Sequence, residues 1–473
     1  MDDFIGTIQD FVWGPVMMGL LVGTGIFLTL RLGLIQLRCL SHAMKCVAGR
    51  YDDPNDQGDV SHFKALCAAL SATIGTGNIA GVATAIVAGG PGAIFWMWVT
   101  ALVGMATKYT SCSLAVKYRR LHPDGSVSGG PMYILSMGLQ NKSLGRMLGI
   151  LFALFGMLAS FGIGNMTQAN SVIAGLTYMC PEAWGQSQSY FGGLLTASPV
   201  ALVGGLALSG VVGLVIIGGI RRIAWVASVV VPGMCVLYVT GVLIILVNHS
   251  EDIGPAFALI FKHAFTPYAA GGAVVGIAVT KTIQSGVSRG LFSNESGLGS
   301  APIAHAAVKT GEMAREGMVA MLGPLIDTLI ICTLTALAIL VTGACESGLD
   351  GAKLTAEAFN RGLFGKGHLI VGISLIFFAY STAISWSYYG DRCTEYLFGK
   401  RAIGLYRVIF VILVFVGAVA KLQVVWDLSD IFNALMAVPN LLGLLLLSGV
   451  VARETRTYLQ RLKAGEFDGP QSL

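Results

Sequence analysis

Long runs of apolar residues without a charged side chain recur along this 473-residue chain. A helix needs roughly 20 mainly apolar residues to cross a bilayer core about 30 Å thick, because each residue adds about 1.5 Å. The run 65–107 is long enough for two such helices, and Gly89-Gly90-Pro91-Gly92 divides it. The pattern therefore predicts 11 membrane-spanning helices. They lie within residues 11–30, 65–107 (two helices), 147–181, 183–220, 223–250, 269–296, 317–343, 368–390, 403–420 and 427–450.

Few residues of the chain are charged. Charged residues make up 12% of the sequence and hydrophobic residues 55%. A soluble protein needs about twice that share of charge to cover its surface. The composition excludes a soluble enzyme, a nucleic-acid-binding protein and a disordered scaffold. It indicates a protein that is embedded in the lipid bilayer. Met1–Asp10 contain no basic region before the first apolar run, so we expect no cleaved signal peptide.

The basic residues predict the orientation of the helices, since Lys and Arg in short loops stay on the cytoplasmic side. With the N-terminus outside, 21 of the 30 basic residues fall in inside loops and 5 in outside loops. The remaining four are Lys108, Lys281, Arg289 and Arg407, which lie within spans. We therefore expect a multi-pass protein of the cell membrane, in a bacterium the inner membrane, with its N-terminus outside and its C-terminus in the cytoplasm.

Two predicted spans carry glycines and polar residues where lipid favours large apolar side chains. In the second span the segment is 71–81, and it reads Gly-Thr-Gly-Asn from Gly75 to Asn78. In the seventh span the segment is 280–288, around Gly286. Irregular backbone at membrane depth must line a cavity or pack against protein. We interpret both segments as helix breaks, and the alternative is close packing of helices through small residues.

The two predicted breaks are five spans apart. Because five is odd, the block of helices that begins at the second break runs in the opposite direction. Interrupted helices at corresponding positions of inverted halves indicate the binding site of a secondary transporter. Hydropathy and position alone support this repeat. The predicted division is an extra N-terminal helix and loop (1–60), a first five-helix repeat (61–250), a second, inverted five-helix repeat (251–452) and a cytoplasmic tail (453–473).

A broken helix exposes backbone groups that bind ions. Free N–H groups at the start of a half-helix suit a carboxylate, and freed carbonyls with nearby hydroxyls suit Na⁺, a hard cation that prefers oxygen. Ser381 and Thr382 are adjacent hydroxyls in the ninth span, and Gln168 and Ser171 share one face of the fourth. The alternatives are hydroxyls that bond to their own helix and hydrogen bonds between helices without a ligand.

The residues around the first break resemble a known family. Gly75–Gly81, followed by Gly89–Trp98 with the sequence Gly-Gly-Pro-Gly-Ala-Ile-Phe-Trp-Met-Trp, is similar to the signature of the alanine/glycine:cation symporters, also called the sodium:alanine symporter family. Phe292–Ser300 and Ile326–Leu329 are similar to the family's later motifs. The resemblance covers essentially the whole chain. It implies an all-α, polytopic membrane protein of leucine-transporter type, whose 11 transmembrane helices form a five-plus-five inverted repeat with one extra N-terminal helix.

The resemblance also implies which residues bind the substrate and Na⁺. By position, the second, fourth, seventh and ninth spans are the helices that line the site in that fold. The implied substrate contacts are Thr76, Gly77, Asn78, Gln168, Thr282 and Gln284. The bulky neighbours expected to select a small side chain are Phe161, Phe378 and Trp386. The implied Na⁺ ligands are the carbonyls near Thr73, Gly75 and Phe378 and the hydroxyls of Ser381 and Thr382.

The charges near the predicted breaks bear on the substrate. No Asp or Glu lies within either break, so we expect carbonyls and amides to meet an ammonium group, which suits a zwitterion better than a net cation. Asp327 lies deep in the eighth span, where a charge is costly. It is either a cation or proton relay, or a structural partner of Lys281, Arg289 or backbone donors. We expect Glu295 either to pair with Arg289 or to act as a gate latch.

The expected function is Na⁺-coupled symport of small neutral amino acids, alanine and glycine, into the cell by alternating access. A proton-coupled amino-acid symporter of the same fold, with Asp327 as its relay, is the first alternative. A membrane-embedded enzyme or a channel is the second, although the sequence shows no nucleophile, base or metal constellation and its nine cysteines have no metal-ligand spacing. We expect no enzymatic activity, no nucleic-acid partner and a monomer.

Overall fold

The computed structural model describes residues 12–53, 55–123, 125–186, 188–190, 195–268, 277–420 and 423–467. Three sequence-based expectations concern residues outside this description: the absence of a signal peptide at Met1–Asp10, the first part of the seventh span at 269–276, and the end of the tail at 468–473. Lys421, one of the basic residues counted outside, also falls there.

Local sequence explains where several helices begin. The hydroxyl of Ser61 accepts a hydrogen bond from the Lys64 N–H at 3.4 Å, and the side-chain oxygen of Asn141 accepts one from the Leu144 N–H at 3.1 Å. These caps satisfy N–H groups that have no partner in the first turn of a helix. Pro15 stands in the first turn of the first described helix, where its missing N–H costs nothing.

Helices of the first half of the chain follow one another with short connections. They are α1 (Pro15–Arg31), α2 (Ile35–Arg38), α3 (Leu40–Val47), α4 (His62–Thr73), α5 (Val82–Gly89), α6 (Ala93–Lys117), α7 (Pro131–Gly138), α8 (Lys142–Phe161), α9 (Thr167–Met179), α10 (Glu182–Gly185), α11 (Pro199–Ile216) and α12 (Gly219–Asn248). Two π-helical segments, Gly77–Gly81 and Gly162–Met166, lead into α5 and α9.

Helices of the second half include the longest ones. They are α13 (Ile253–His263), α14 (Val279–Asn294), α15 (Ala301–His305), α16 (Met313–Ala320), α17 (Leu322–Pro324), α18 (Thr333–Val341), α19 (Gly351–Gly362), α20 (Gly367–Phe398), α21 (Ala402–Val419) and α22 (Gln423–Lys463). A π-helical segment, Leu325–Cys332, joins α17 to α18. Short 3₁₀ segments occur at Ser250–Asp252 and Ala344–Ser347.

Two small antiparallel hairpins lie in the loops. β1 (Arg120–Leu121) pairs with β2 (Val127–Ser128), and β3 (Gln188–Tyr190) pairs with β4 (Leu195–Ala197). In register, Arg120 stands opposite Ser128. Because these strands are only two or three residues long, the described chain is a helical protein, as the sequence predicts.

Seven helical segments of the described chain are long and apolar enough to cross a membrane, and a bent pair makes an eighth if its halves count as one span. The seven are Lys142–Met179, Pro199–Ile216, Gly219–Asn248, Met313–Val341, Gly367–Phe398, Lys400–Val419 and Asp427–Lys463. The bent pair is His62–Thr73 with Gly77–Gly89. The other three predicted spans contain α1, α6 and α14, which are shorter or more polar. The number 11 and the inverted repeat stay predictions.

Loops that are predicted to lie inside gather at one end of the bundle. The Arg119 guanidinium donates to the carbonyls of Gln57 and Thr310, both at 2.8 Å. Arg221 pairs with Asp59, the Ser128 hydroxyl donates to Glu395, and Arg461 pairs with Glu312. We call this end the basic face. Trp96 reaches the carbonyl of Ala264 at the other end, which we call the opposite face. These contacts bring several loops that are predicted to be cytoplasmic to one end of the bundle, and the orientation in the membrane stays a prediction.

Candidate substrate and cation site

The helix break predicted in the second span is present. α4 ends at Thr73, the π-helical segment begins at Gly77, and the two halves of the span meet at 55°. Gly75 lies between the halves, where an added Cβ atom would come within 2.9 Å of the Thr382 hydroxyl oxygen. Glycine at this position therefore allows the broken helix to approach α20 closely.

The break predicted around Gly286 is wrong. α14 continues without interruption to Asn294, and the chain leaves the helix at Glu295, whose φ is +52°. An added Cβ at residue 286 would lie 2.2 Å from the carbonyl oxygen of Ala93. This glycine therefore serves close packing of α14 against α6, which was the alternative interpretation. The irregular backbone of this region lies at 295–300 instead.

Two hydroxyls of α20 face carbonyl groups near the end of α4. The Ser381 hydroxyl lies 3.3 Å from the Ser71 carbonyl oxygen and 2.9 Å from that of Phe378. The Thr382 hydroxyl donates to the same two carbonyls, at 3.1 and 2.9 Å. Two carbonyls and two hydroxyls thus converge from α4 and α20. Neutral oxygen donors of this kind suit a hard cation such as Na⁺.

This cluster contains three of the predicted Na⁺ ligands: Phe378, Ser381 and Thr382. On the side of α4 the carbonyl in contact belongs to Ser71, which the sequence analysis did not include among the ligands. Every residue near the end of a broken helix has a backbone carbonyl. The sequence therefore could not show which of these carbonyls faces α20. The carbonyls near Thr73 and Gly75 stay predictions.

A small cavity lies beside the break, with a volume of about 20 Å³. That is room for about one water molecule, so an amino acid requires the cavity to expand. The predicted site residues that line it are Thr73, Gly75, Thr76, Gly77, Gln168, Thr382 and Trp386. The lining residues that the sequence analysis did not predict are Ala72, Ile163, Phe292, Glu295 and Asn433.

Four residues predicted to contact the substrate lie away from the small cavity in this structure. Phe161 packs against a tyrosine ring of α21 and Phe378 against one of α12, with ring centroids 5.0 and 5.6 Å apart. Thr282 is buried within α14, where its hydroxyl bonds to its own helix, and Gln284 faces a different cavity. Neither Thr282 nor Gln284 is among the residues that line the small cavity.

Asn78, also predicted to contact the substrate, instead joins the broken helix to Asp327. Its side-chain amide donates to the Asp327 carboxylate at 2.7 Å, and its oxygen accepts from the Gly75 N–H at 2.9 Å. The hydroxyls of Ser293 and Thr328 donate to the other carboxylate oxygen, at 2.8 and 2.7 Å. In the described chain neither basic residue of α14 pairs with this carboxylate, so that proposed ion pair is wrong. Uncharged donors hold it.

Glu295 is an acidic residue in the small cavity. Its carboxylate accepts a hydrogen bond from the Ser300 hydroxyl at 2.5 Å, and the residue is 7% exposed. Within the described residues no ion pair joins it to Arg289, so that predicted pair is wrong. Segments 71–81 and 280–288 contain no Asp or Glu, but the irregular backbone after α14 begins at Glu295, so a carboxylate does line the small cavity. The expectation that carbonyls and amides meet the ammonium group stays a prediction.

A larger cavity, of about 320 Å³, opens on the opposite face. We call it the large cavity. Its polar side chains come mainly from α14: Lys281, Gln284, Ser285, Ser288 and Arg289. Its other lining residues are Trp13, Met18, Thr84, Ala88, Phe292 and Asp430. Because Phe292 lines both this cavity and the small one, its ring separates the two.

Three ionisable side chains form a buried bridge near the basic face. Glu316 contacts the Nδ1 atoms of His62 and His305 with its two carboxylate oxygens, and the contact with His305 is 2.5 Å. Glu316 is fully buried, and each histidine is 1% exposed. We call this group the Glu316 bridge. It ties the start of α4 to α15 and α16 inside the bundle. The sequence analysis missed it because its members are far apart in the chain.

Comparisons with known proteins identify the family of this chain. The model of the sodium:alanine symporter family matches residues 1–471. The sodium/alanine symporter AgcS of Methanococcus maripaludis is 50% identical over 458 residues, which cover 96% of each chain. The probable sodium/glutamine symporter GlnT of Bacillus subtilis is 34% identical, over 98% of this chain and 92% of its own.

A solved structure supports the fold. The crystal structure of MhsT in complex with L-phenylalanine superposes with a TM-score of 0.58 at 14% sequence identity, over 81% of this chain and 89% of that one. At this identity the likeness concerns the fold alone, and the fold is of leucine-transporter type. Family, relatives and fold therefore lead to the same conclusion, which confirms the resemblance: the chain belongs to the sodium:alanine symporter family, whose members are transporters and not enzymes.

Proposed function

We propose that this protein carries small neutral amino acids, alanine and glycine, into the cell together with Na⁺. The single observation that supports this best is that one broken helix, α4, borders both the oxygen cluster at Ser381 and Thr382 and the small cavity. When two ligands share one irregular element, binding of the first changes the affinity for the second. The name of AgcS, a sodium/alanine symporter, supports the same pair of ligands.

The proposed Na⁺ site uses the carbonyls of Ser71 and Phe378 with the two α20 hydroxyls. In the structure each hydroxyl donates to these carbonyls. Both protons have to turn away when a cation binds, and the hydroxyl oxygens then face the ion. All of these groups are neutral, so Na⁺ brings a charge that the substrate's carboxylate balances. That balance is a physical reason for the two to bind together.

The size of the small cavity supports a small substrate. Trp386, Ile163 and Phe292 line it with bulky side chains. Glycine needs room only for its ammonium and carboxylate groups, and alanine adds one methyl group. A long side chain has to displace at least one of these bulky residues, so we expect the rate of transport to fall with the length of the side chain.

We propose that transport proceeds by alternating access. The large cavity opens on the opposite face, Phe292 lines both it and the small cavity, and the buried Glu316 bridge joins three helices near the basic face. Such a conformation admits a substrate from one side only. Since basic loops stay cytoplasmic, we place the basic face inside the cell, the N-terminus outside and the C-terminus inside, in the inner membrane of a bacterium. We propose a monomer.

We further propose that two inverted five-helix blocks build the site. α4 starts at the basic face, at His62, and the broken span that it opens runs towards the opposite face. α14 starts on the side of the large cavity and ends at Asn294, beside the small cavity. The two elements that meet at the site therefore run in opposite directions, as an inverted repeat requires.

Uptake by purified protein in liposomes tests this function. An inward Na⁺ gradient should drive radiolabelled alanine above its external concentration, whereas an equal K⁺ gradient should not. Glycine should compete with alanine, and phenylalanine should not. Uptake that is indifferent to Na⁺ contradicts the coupling, and equal competition by phenylalanine contradicts the size argument.

Proton coupling is the second candidate, and the burial of Asp327 favours it. This carboxylate is fully buried and touches the broken helix through Asn78. Buried carboxylates on transport pathways serve as proton relays in other transporters. An inward proton gradient without Na⁺ should then drive uptake in the wild type but not in Asp327→Asn. If proton gradients drive no uptake in the wild type, this candidate is excluded.

A further inference from the structure

The carboxylate of Glu295 is in an unusual place. It stands on the first residue after α14, where φ is +52°, and it lines the small cavity although 93% of the residue is buried by protein. The Ser300 hydroxyl donates a hydrogen bond to one of its oxygens at 2.5 Å, and the Trp386 side chain also hydrogen-bonds to the carboxylate. A carboxylate has about four acceptor positions, so about half of its capacity remains for other groups.

The surroundings of Glu295 do not neutralise its charge by direct contact. Lys108 of α6 lies near enough to interact electrostatically with both Glu295 and Asp327, but in the part of the chain that the structure describes no ion pair joins it to either. Ser300 and Trp386 are uncharged donors, and burying a carboxylate without a cationic partner is costly. A cation that occupies the small cavity has access to this carboxylate, because Glu295 lines that cavity.

A second buried polar group lines the same cavity without a partner. Among the described residues the side-chain oxygen of Gln168 has no hydrogen-bond donor, and the residue is 4% exposed. Both Gln168 and Glu295 therefore present acceptors to the cavity. Across from them, Thr76 and Gly77 stand at the start of the second half of the broken helix, where N–H groups lack helical acceptors.

We propose that Glu295 binds the ammonium group of the substrate and that this contact makes the transporter specific for a free α-amino group. The inference rests on the proposed function, because it names the partner of an amino acid in the same cavity. The N–H groups at Thr76 and Gly77 take the carboxylate end, Glu295 takes the ammonium end, and Gln168 accepts a further hydrogen bond from it. An acceptor-rich subsite of this kind excludes carboxylic acids that lack the amine.

A purely structural role is the competing explanation. Glu295 ends α14, and its bond to Ser300 holds the irregular segment that follows. Ser300→Ala removes that bond and keeps the carboxylate, so it is the matched control. Glu295→Gln keeps the shape and removes the charge, and Glu295→Asp keeps the charge on a shorter side chain.

The test compares ligands with and without the amine. Binding of L-alanine and of L-lactate, in which a hydroxyl replaces the ammonium, is measured on the full-length purified protein in detergent with Na⁺. Loss of a charge-assisted hydrogen bond typically weakens binding by about 10- to 100-fold. We expect Glu295→Gln to weaken alanine binding by this factor and to leave lactate binding nearly unchanged. Glu295→Asp should keep part of the preference for alanine, and Ser300→Ala should keep all of it.

Two results would overturn the inference. One is a ratio of alanine to lactate affinity that stays the same in Glu295→Gln. The other is an equal decrease of that ratio in Ser300→Ala. Such a decrease would show that the structure of the segment after α14, and not the charge of Glu295, determines the preference for alanine. If Glu295→Gln does not elute as a folded, monodisperse protein, Glu295→Asp is the deciding variant. Its shorter side chain moves the carboxylate away from the ligand. A ratio of alanine to lactate affinity equal to that of the wild type would then also contradict direct contact.

Failure of the proposed function has a different signature. Wild-type protein that binds alanine over lactate but transports nothing in a Na⁺ gradient contradicts symport and leaves the ammonium subsite standing. Wild-type protein that binds lactate as well as alanine contradicts the subsite, whatever drives transport.

Discussion

Ionisable side chains gather near both ends of this bundle, and they are used in opposite ways. At the basic face the members of the Glu316 bridge bond to one another, and they are at most 1% exposed. At the opposite face Lys281 and Arg289 line the large cavity, and Lys281 is exposed. The Glu316 bridge is held by interactions within the protein, whereas Lys281 is open to solvent.

This difference shows what a conformational change has to do. Closing the large cavity brings together side chains that already face each other across water, and it breaks few contacts. Opening the basic face separates a buried carboxylate from two imidazoles, which is costly unless water reaches all three. If transport proceeds by alternating access as proposed, the Glu316 bridge is the stronger of the two closures, and a ligand in the small cavity supplies much of the energy that opens it.

Removing the centre of the bridge should have the largest effect. Glu316→Ala leaves two buried imidazoles without their acceptor, and breaking a buried ionic network in this way costs about 3–5 kcal/mol. We expect the free energy of unfolding in detergent to fall by that amount.

The matched control for this change is Glu454→Ala. Glu454 pairs with Lys117 at 2.6 Å on the same face, but both side chains are about one-third exposed, so its loss should cost about 1 kcal/mol or less. Similar destabilisation by both substitutions would show that the bridge is no stronger than a surface pair.

The oxygen cluster midway between the two ends should give the next largest effect. Replacing both Ser381 and Thr382 by Ala removes two proposed ligands, and we expect the Na⁺ concentration for half-maximal uptake to rise at least about tenfold. Ser387→Ala is the control, since its hydroxyl bonds to the Ile384 carbonyl of the same helix and lies outside the cluster. Unchanged Na⁺ dependence in the double variant would place the cation elsewhere.

A methyl group added between α14 and α6 should lower the stability of the protein by an intermediate amount. In Gly286→Ala the new methyl group meets the Ala93 carbonyl oxygen at 2.2 Å unless the backbone moves, and overpacking of this kind costs about 1–3 kcal/mol. Gly81→Ala is the control, because its added Cβ has no neighbour within 4 Å. Thermal unfolding of the two variants measures the difference. Equal stability would show that α14 and α6 separate easily.

Removing the positive charge of Lys281, which is exposed in the large cavity, should have the smallest effect on alanine uptake. Lys281 has a solvated side chain, and its field is screened at physiological salt, so Lys281→Gln should change the half-maximal alanine concentration by about twofold or less. Uptake at a series of alanine concentrations checks this. A loss as large as that of the Ser381/Thr382 variant would reveal a binding role at the open end.

Sequence patterns predicted the parts of this protein that depend on local physics. The break at Gly75 was visible because glycine and polar residues interrupt an apolar helix. The environment of Gly286 was not visible, since a glycine that packs on the Ala93 carbonyl looks the same in sequence as a glycine that breaks a helix. The Glu316 bridge joins residues 254 positions apart, which no local pattern connects.

Labelling of a cysteine in the large cavity tests alternating access most directly. Gln284→Cys is placed there in intact cells and exposed to a membrane-impermeant thiol reagent, with the unsubstituted chain, which has nine free cysteines, as background. We predict rapid labelling from outside in Na⁺, slower labelling when alanine is added with Na⁺, and no slowing by alanine in K⁺. Labelling that alanine and Na⁺ leave unchanged, or that requires access from the cytoplasm, would contradict the account.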